Sequence, residues 1–268
     1  VNYGATTFTG NGTSGVLVAY PHSFRSDLGG MVNNPDTTSS YVPTTSAVVY
    51  APRRGHHIYN GSAWVNEGIL HESEARTNLV TYSNNFTNGI WSKQSVTLTG
   101  GGVSPSGLTD ATVITASATS EQHRVYQNLA TIASYSKSVY AKAGTANFIS
   151  VNGGTTSVGY AVFDLSTGVV SSQLNIVQAT MEDVGSGWYR CSIHGTVATQ
   201  WMIVNMGTTA ANAVPQVSWL GAGETVQLYG AQLEAGSTPS SYIPTTTATV
   251  TRAAETLTAP AANLPYDS

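Results

Sequence analysis

Cysteine is almost absent from this sequence: Cys191 is the only one in 268 residues. A single thiol cannot form an internal disulfide, so the fold must close on packing and hydrogen bonding alone. Charge is scarce too. Lys, Arg, Asp and Glu together make up 9% of the chain, against about a quarter in an ordinary globular protein. Ten basic residues stand against fourteen acidic ones, a formal net charge of −4. The basic residues are scattered, which excludes the basic stripe of a nucleic-acid-binding surface. No apolar run approaches the roughly 18 residues that a membrane helix needs, so membrane insertion is not expected.

What replaces charge is Ser, Thr, Asn, Gly and Ala. Disorder is excluded, because hydrophobic residues are 41% of the chain and 14 Tyr and 5 Trp must pack somewhere. Lys, Glu, Arg and Leu are too thin for a helical protein. The composition suggests an extracellular-type β-protein. With one cysteine, it fits a chain made in a reducing cytosol and released by lysis, or one stabilised by oligomerisation.

From about residue 76 onward, short stretches alternate apolar and polar residues between turn signals. SVTLTG (95–100), DATVITAS (110–117), HRVYQNL (123–129), YSKSVYAKAG (135–144) and NFISVNG (147–153) follow one another. SVGYAVFDLSTGVVSSQL (157–174), ATMEDV (179–184), GWYRCSIHGTV (187–197), QWMIVNMG (200–207) and ETVQLYGAQLE (224–234) continue the series. This spacing predicts an all-β sandwich or barrel of antiparallel strands. Asp164 to Gly168 reads as a hairpin turn, with Asp bonding its own backbone and Gly free to take positive φ. Residues 1–45 are read as an N-terminal arm or attachment segment carrying one strand at Val16–Tyr20, 46–257 as the main domain, and 258–268 as a C-terminal tail.

One heptapeptide occurs twice. SSYVPTT (39–45) and SSYIPTT (240–246) differ by a single Val/Ile exchange, and each runs on into an alternating stretch. Pro43 and Pro244 would interrupt backbone pairing where a strand enters or leaves a sheet. Tyr41 and Tyr242 would serve as aromatic anchors.

Catalytic signatures are sparse. His56, His57, Glu67, His71, Glu72 and Glu74 crowd one segment, but no metal-binding spacing accompanies them, and on a strand His71 and Glu72 would face opposite sides. Seven carboxylates, Asp110, Glu121, Asp164, Glu182, Asp183, Glu224 and Glu234, are candidates for a glycosidase pair, yet Asp110 and Asp164 read as turn residues and Glu182–Asp183 as a loop before a strand. There is no Gly-x-Ser-x-Gly elbow. The expectation is a protein that is not an enzyme and needs no cofactor.

Three segments carry a family resemblance: ARTNLVTYSNNFTNGIWSK (75–93), GWYRCSI (187–193) and LYGAQLEAGSTPSSYIPTTTATVTRAAE (228–255). With APRRGHHIYNGSAWVNEGILHESEARTNL (51–79), they resemble a domain of tailed-phage virion proteins: tail-fibre, tail-tip or head-spike proteins with a carbohydrate-binding-module-like, concanavalin-type jelly roll. The likeness covers about residues 46–257. It implies a jelly-roll β-sandwich in which the Gly-Ala-Gln-Leu-Glu…Tyr-Ile-Pro-Thr segment is the closing strand and returns beside the opening one. It also implies a virion location, a homotrimer bound to other virion proteins, and a host-surface glycan as possible ligand. A structural calcium, frequent in such modules, has no Asp-rich loop to hold it here.

Trp91, Trp188, Tyr229 and Tyr242 lie in the family motifs and are assigned to the core, as is Cys191. Arg76 and Asn78 read as a buried structural pair. Aromatics outside the motifs are the candidates for sugar stacking, beside amide hydrogen bonds. They are Trp201, Trp219, Tyr126, Tyr140 and Tyr160. Among them, the sequence reading selects Trp201 with Gln200, Tyr160 opposite on a neighbouring strand, and Trp219.

Overall fold

The computed structural model describes residues 53–256. The N-terminal segment 1–45, the first heptapeptide copy and the tail 258–268 lie outside the described residues. The chain forms the strands β1 (Arg53–Tyr59), β2 (Trp64–Leu70), β3 (Arg76–Asn78), β4 (Ser92–Gln94), β5 (Val96–Gly102) and β6 (Ala111–Ala116). It continues through β7 (Ser120–Glu121), β8 (Arg124–Ile132), β9 (Tyr135–Ala143), β10 (Phe148–Asn152), β11 (Tyr160–Asp164) and β12 (Val169–Leu174). It ends with β13 (Gln178–Asp183), β14 (Trp188–Gly195), β15 (Thr199–Gly207), β16 (Trp219–Leu220), β17 (Thr225–Ala235) and β18 (Val250–Arg252). No helix occurs among the described residues.

Two six-stranded antiparallel sheets make the body, in the orders β12-β11-β10-β15-β8-β4 and β13-β14-β9-β17-β6-β5. The period-2 alternation of the sequence decides which residues meet between them. On β15, Met202, Val204 and Met206 point inward, while Trp201, Ile203 and Asn205 belong to the opposite face. Val125, Ile149, Val151, Ala161 and Phe163 complete the first sheet's inner face. Tyr135, Val139, Ala141, Cys191, Ile193, Val226, Leu228 and Leu233 supply the second. The fold is the antiparallel β-sandwich that the alternating stretches predict. Trp91 and Trp188 are buried, as their motif positions imply. Burial pushes the Cys191 thiol well above the usual range, so it stays protonated.

The predicted hairpin turn forms between β11 and β12. Asp164 Oδ1 accepts the Ser166 amide at 2.9 Å and the Ser166 hydroxyl at 2.6 Å, and Gly168 takes φ 74°. Partial desolvation pushes the Asp164 carboxyl up, but the hydrogen bonds from Ser166 and Thr167 outweigh it and hold the group below its ordinary value. Asp164→Ala removes those bonds from an exposed turn, and about 1 kcal/mol of stability is expected to go with them in chemical denaturation.

Both sheets carry covers on their outer faces, which is why the sequence shows long buried runs. Residues 208–217 lie over β10 and β11, where the Ser150 hydroxyl donates to the Ala213 carbonyl at 2.7 Å. The second cover corrects the sequence reading of 240–246. The closing strand is β17 alone, and the heptapeptide is an irregular strap across the outer face of β17 and β9.

The strap escapes strand pairing because side chains take its backbone amides. Ser240 N donates to Glu234 Oε2 at 2.9 Å, Ser241 N to Glu72 Oε1 at 2.9 Å, Ile243 N to Gln232 Oε1 at 2.7 Å and Thr245 N to Ser83 Oγ at 2.9 Å. Pro244 has no amide to satisfy. Tyr242 is an anchor, as expected: its ring packs 6.1 Å from Tyr140 and 5.6 Å from Tyr229, and its hydroxyl meets Ser83 Oγ at 2.6 Å. Tyr229 and Tyr242 therefore belong to this outer aromatic cluster and not to the core between the sheets to which their motif positions assigned them.

Past the strap, β18 pairs with β3, so the chain does return beside the Arg-Thr-Asn-Leu segment. Asn78 is fully buried, donating to the Ala231 and Ile243 carbonyls and accepting from the Val80 and Leu233 amides. Arg76 is not its buried partner: it sits at the edge, on the Ala235 carbonyl and Glu74. The buried arginine is Arg252, paired with Glu72.

Candidate functional site

The outer face of the β15–β8 pair is the one that 208–217 leaves open. There Trp201, half-buried on β15, meets Tyr126 on β8 edge-on, with ring centroids 5.8 Å apart and planes at 70°. The Arg124 guanidinium lies over the Tyr126 ring, 5.1 Å from its centroid. Spacing of two along β8 puts Arg124 and Tyr126 on one face. The β15 register brings Trp201 to them, with Tyr126 opposite Ile203 and Arg124 opposite Asn205.

A bulge shapes the far wall. Thr199 pairs with Ile132 but Trp201 with Asn128, so the extra residues lie in β8, and Thr131 turns into the site. On the near side, Gly154 adopts φ +114°, and a Cβ there would stand 3.1 Å from Trp201 Cδ1. Only glycine lets this loop close so tightly on the indole edge.

The result is a shallow groove of about 460 Å³, within the range of small-molecule sites. Arg124, Tyr126, Gly154, Thr199, Gln200 and Trp201 are the lining residues that matter chemically. No Asp or Glu lines it. Gln200 is exposed and is one of the lining residues. Arg124 gives its Nε–H to Gln94 Oε1 at 2.9 Å, and desolvation lowers its pKa.

Behind the floor lies a fully buried cation. Lys137 extends from β9 into the sandwich and donates to the Asn152 carbonyl at 2.9 Å and to Thr199 Oγ1 at 3.4 Å. Its ammonium sits 4.6 Å from the Tyr135 ring. Burial lowers its pKa to about 7.

Of the residues selected from sequence, the structure brings Trp201 and Gln200 together in this groove and excludes the other two from it. Tyr160 stands two strands away, since β10 separates β11 from β15, and is 9% exposed in a small cluster with Val162 and Ala213. Trp219 packs against His123 with ring centroids 4.3 Å apart and planes tilted by 60°, and donates its indole N–H to the Met206 carbonyl at 3.3 Å. Tyr140 lies under the strap. Sequence reading passed over Arg124 and weighed Tyr126 without choosing it; their common signal was alternation in HRVYQNL, but nothing in one strand says which neighbour it will meet.

Among the described residues, no group of three or more His, Cys, Asp or Glu could hold a metal ion. His71 Nε2 donates to the Glu255 carbonyl at 3.1 Å, and Glu72 is engaged by the strap and Arg252. Glu234, Glu224, Asp164 and Asp183 accept backbone amides from Ser240, Ala222, Ser166 and Gly185. A second recess of about 330 Å³, beside Asn84, Asn85, Thr109 and Asp110, is polar and lacks any aromatic ring for stacking.

No family model matches the chain, and no curated protein matches it. Among solved structures, it is similar to the crystal structure of the enzymatically active domain of bacteriophage CBA120 tailspike protein 4. The identity is 16% and the TM-score 0.32 over 58% of this chain and 21% of that one. The chain thus spans about a fifth of that structure, and the likeness is too slight to bear on fold or activity.

Proposed function

We propose that the chain is a non-enzymatic β-sandwich module of a tailed-phage virion appendage, a fibre, spike or decoration, that binds host-surface carbohydrate at the Trp201 groove. The motifs at 75–93, 187–193 and 228–255 support the virion reading. The observation that carries the binding reading is the groove itself: a half-buried indole held edge-on to Tyr126, with the exposed Gln200 among the lining residues, on an otherwise covered face. Sugars stack C–H faces on such rings and take hydrogen bonds from flanking amides. One shallow site binds weakly, and the expected homotrimer on a multivalent particle would raise the affinity through effective concentration.

The test is a glycan array of bacterial surface saccharides, read with the wild type and Trp201→Ala. Binding by the wild type and its reduction by at least about tenfold in the variant are expected, the loss of one stacking contact near 1.4 kcal/mol. An array without signal, or equal signal from both proteins, contradicts the reading.

Assembly is a second reading with an observation of its own. The β1–β2 hairpin stands as a separate two-stranded sheet and exposes Trp64 at 55%. An exposed, two-stranded ribbon with an aromatic on it is suited to a neighbouring subunit.

A further inference from the structure

Resting on the carbohydrate reading of the same groove, we infer that its ligand is an anionic saccharide, with the sugar ring on Trp201 and the anionic group on the Arg124 guanidinium. The argument is about charge. The chain as a whole is acidic, at −4, yet no carboxylate lines this groove.

Arg124 is half-buried on β8, and among the described residues no carboxylate is paired with it. Its nearest acidic neighbour by hydrogen bonding is Glu121, which accepts from the Gln94 amide at 3.3 Å while Gln94 in turn holds Arg124 Nε. Gln94 and the Tyr126 ring fix the guanidinium plane and leave its terminal nitrogens without protein acceptors among the described residues. A half-buried guanidinium with no carboxylate in direct contact has its terminal donors open to an anionic ligand, and its planar fork suits the two oxygens of a carboxylate or phosphate.

Below about pH 7, where it keeps its proton, Lys137 adds charge of the same sign. It reaches Thr199 Oγ1 from inside the sandwich, and Thr199 is a lining residue, so the ammonium stands one hydrogen bond behind the floor. Low-dielectric walls with one sign of charge focus an attractive field on anions. Trp201 and Tyr126 supply the apolar platform that a bare phosphate or carboxylate ion would not use. The combination selects an anionic group carried on a sugar ring.

The experiment uses the full chain and matched pairs of oligosaccharides: uronate and sialate oligomers with their methyl esters, and sugar phosphates with their dephosphorylated forms. Kd is measured for the wild type, Arg124→Gln, Arg124→Lys and Trp201→Ala. In at least one pair the anionic member is expected to bind about tenfold tighter or more, a charge-assisted hydrogen bond's worth, and the pair that does so identifies the anionic group. Arg124→Gln should bring the ratio near one, and Arg124→Lys should keep part of it. Wild-type discrimination should also shrink between about 0.05 M and about 0.5 M salt, a reading that needs no variant to fold. Equal Kd within every pair, with binding still lost in Trp201→Ala, overturns the anionic inference and leaves the carbohydrate reading standing. No Trp201-dependent binding by any member overturns both.

Discussion

Arg252→Ala is expected to cost about 3–5 kcal/mol of folding stability. Arg252 is 4% exposed and pairs with Glu72, whose carboxylate also accepts the Ser241 amide at 2.9 Å and hydroxyl at 2.6 Å. Removing the arginine takes from that carboxylate the cation it is paired with, and the cost of breaking a buried pair from one side is what dominates. The strap should loosen with it. Urea denaturation measures the loss, and hydrogen exchange at the Ser240, Ser241, Ile243 and Thr245 amides locates it. A loss below about 1 kcal/mol, or unchanged protection of those amides, contradicts the assignment of the strap to side-chain fastening.

Lys137→Met should act in the opposite direction and change the pH dependence. The lysine's folded pKa is depressed to about 7 from 10.5 because burial penalises the ammonium. Below pH 7 both folded and unfolded states are protonated, so the penalty is present in full. As pH rises through 7 the folded state releases the proton while the unfolded state keeps it, so the unfolded state binds more protons and stability increases.

The increase continues until other buried groups oppose it. Burial raises the Cys191 thiol and brings the Tyr135 phenol up to about 12. The unfolded chain ionises these groups first, which lowers stability above about pH 9. Wild-type stability should therefore climb between about pH 7 and 9 and then level or fall. Lys137→Met keeps most of the volume, removes the charge, and should be more stable at or below pH 7 by about 1–3 kcal/mol. The full shift of several kcal/mol is an upper bound, because the bonds to Asn152 and Thr199 go with the ammonium. Denaturation curves for both proteins across this range check it; a parallel pair of profiles would show that Lys137 is not the group responsible.

The sandwich was legible because its signal is local. Alternation along QWMIVNMG sorts Met202, Val204 and Met206 from Trp201 and Ile203 without knowledge of any neighbour, and Asp164 with Gly168 encodes its turn in five residues. The strap was misread for a physical reason: its hydrogen bonds come from Glu72, Ser83, Gln232 and Glu234, side chains distant or indifferent in sequence, while its own composition of Ser, Tyr, Ile and Thr suits a strand. Arg252 was missed and Arg76 overvalued because burial of an arginine depends on which carboxylate the fold delivers.

The groove was half visible. Trp201 and Gln200 stand out as a consecutive aromatic–amide pair on one strand, but pairing Trp201 with Tyr160 required a strand order that the sequence does not carry. β10 intervenes, and 208–217 covers Tyr160. Arg124 and Tyr126 arrive through the β8–β15 register and the bulge before Ile132, neither of which leaves a mark in HRVYQNL.

The indole N–H signals offer the most direct test of the groove. The chain has five tryptophans, and each gives one indole resonance in a nitrogen–proton correlation spectrum: Trp64, Trp91, Trp188, Trp201 and Trp219. Titration with a saccharide that scores on the array should shift the Trp201 signal in a saturable manner and leave the other four in place. A saturable shift at Trp64 or Trp219 instead, or binding with no indole perturbed, would contradict the placement of recognition at this groove.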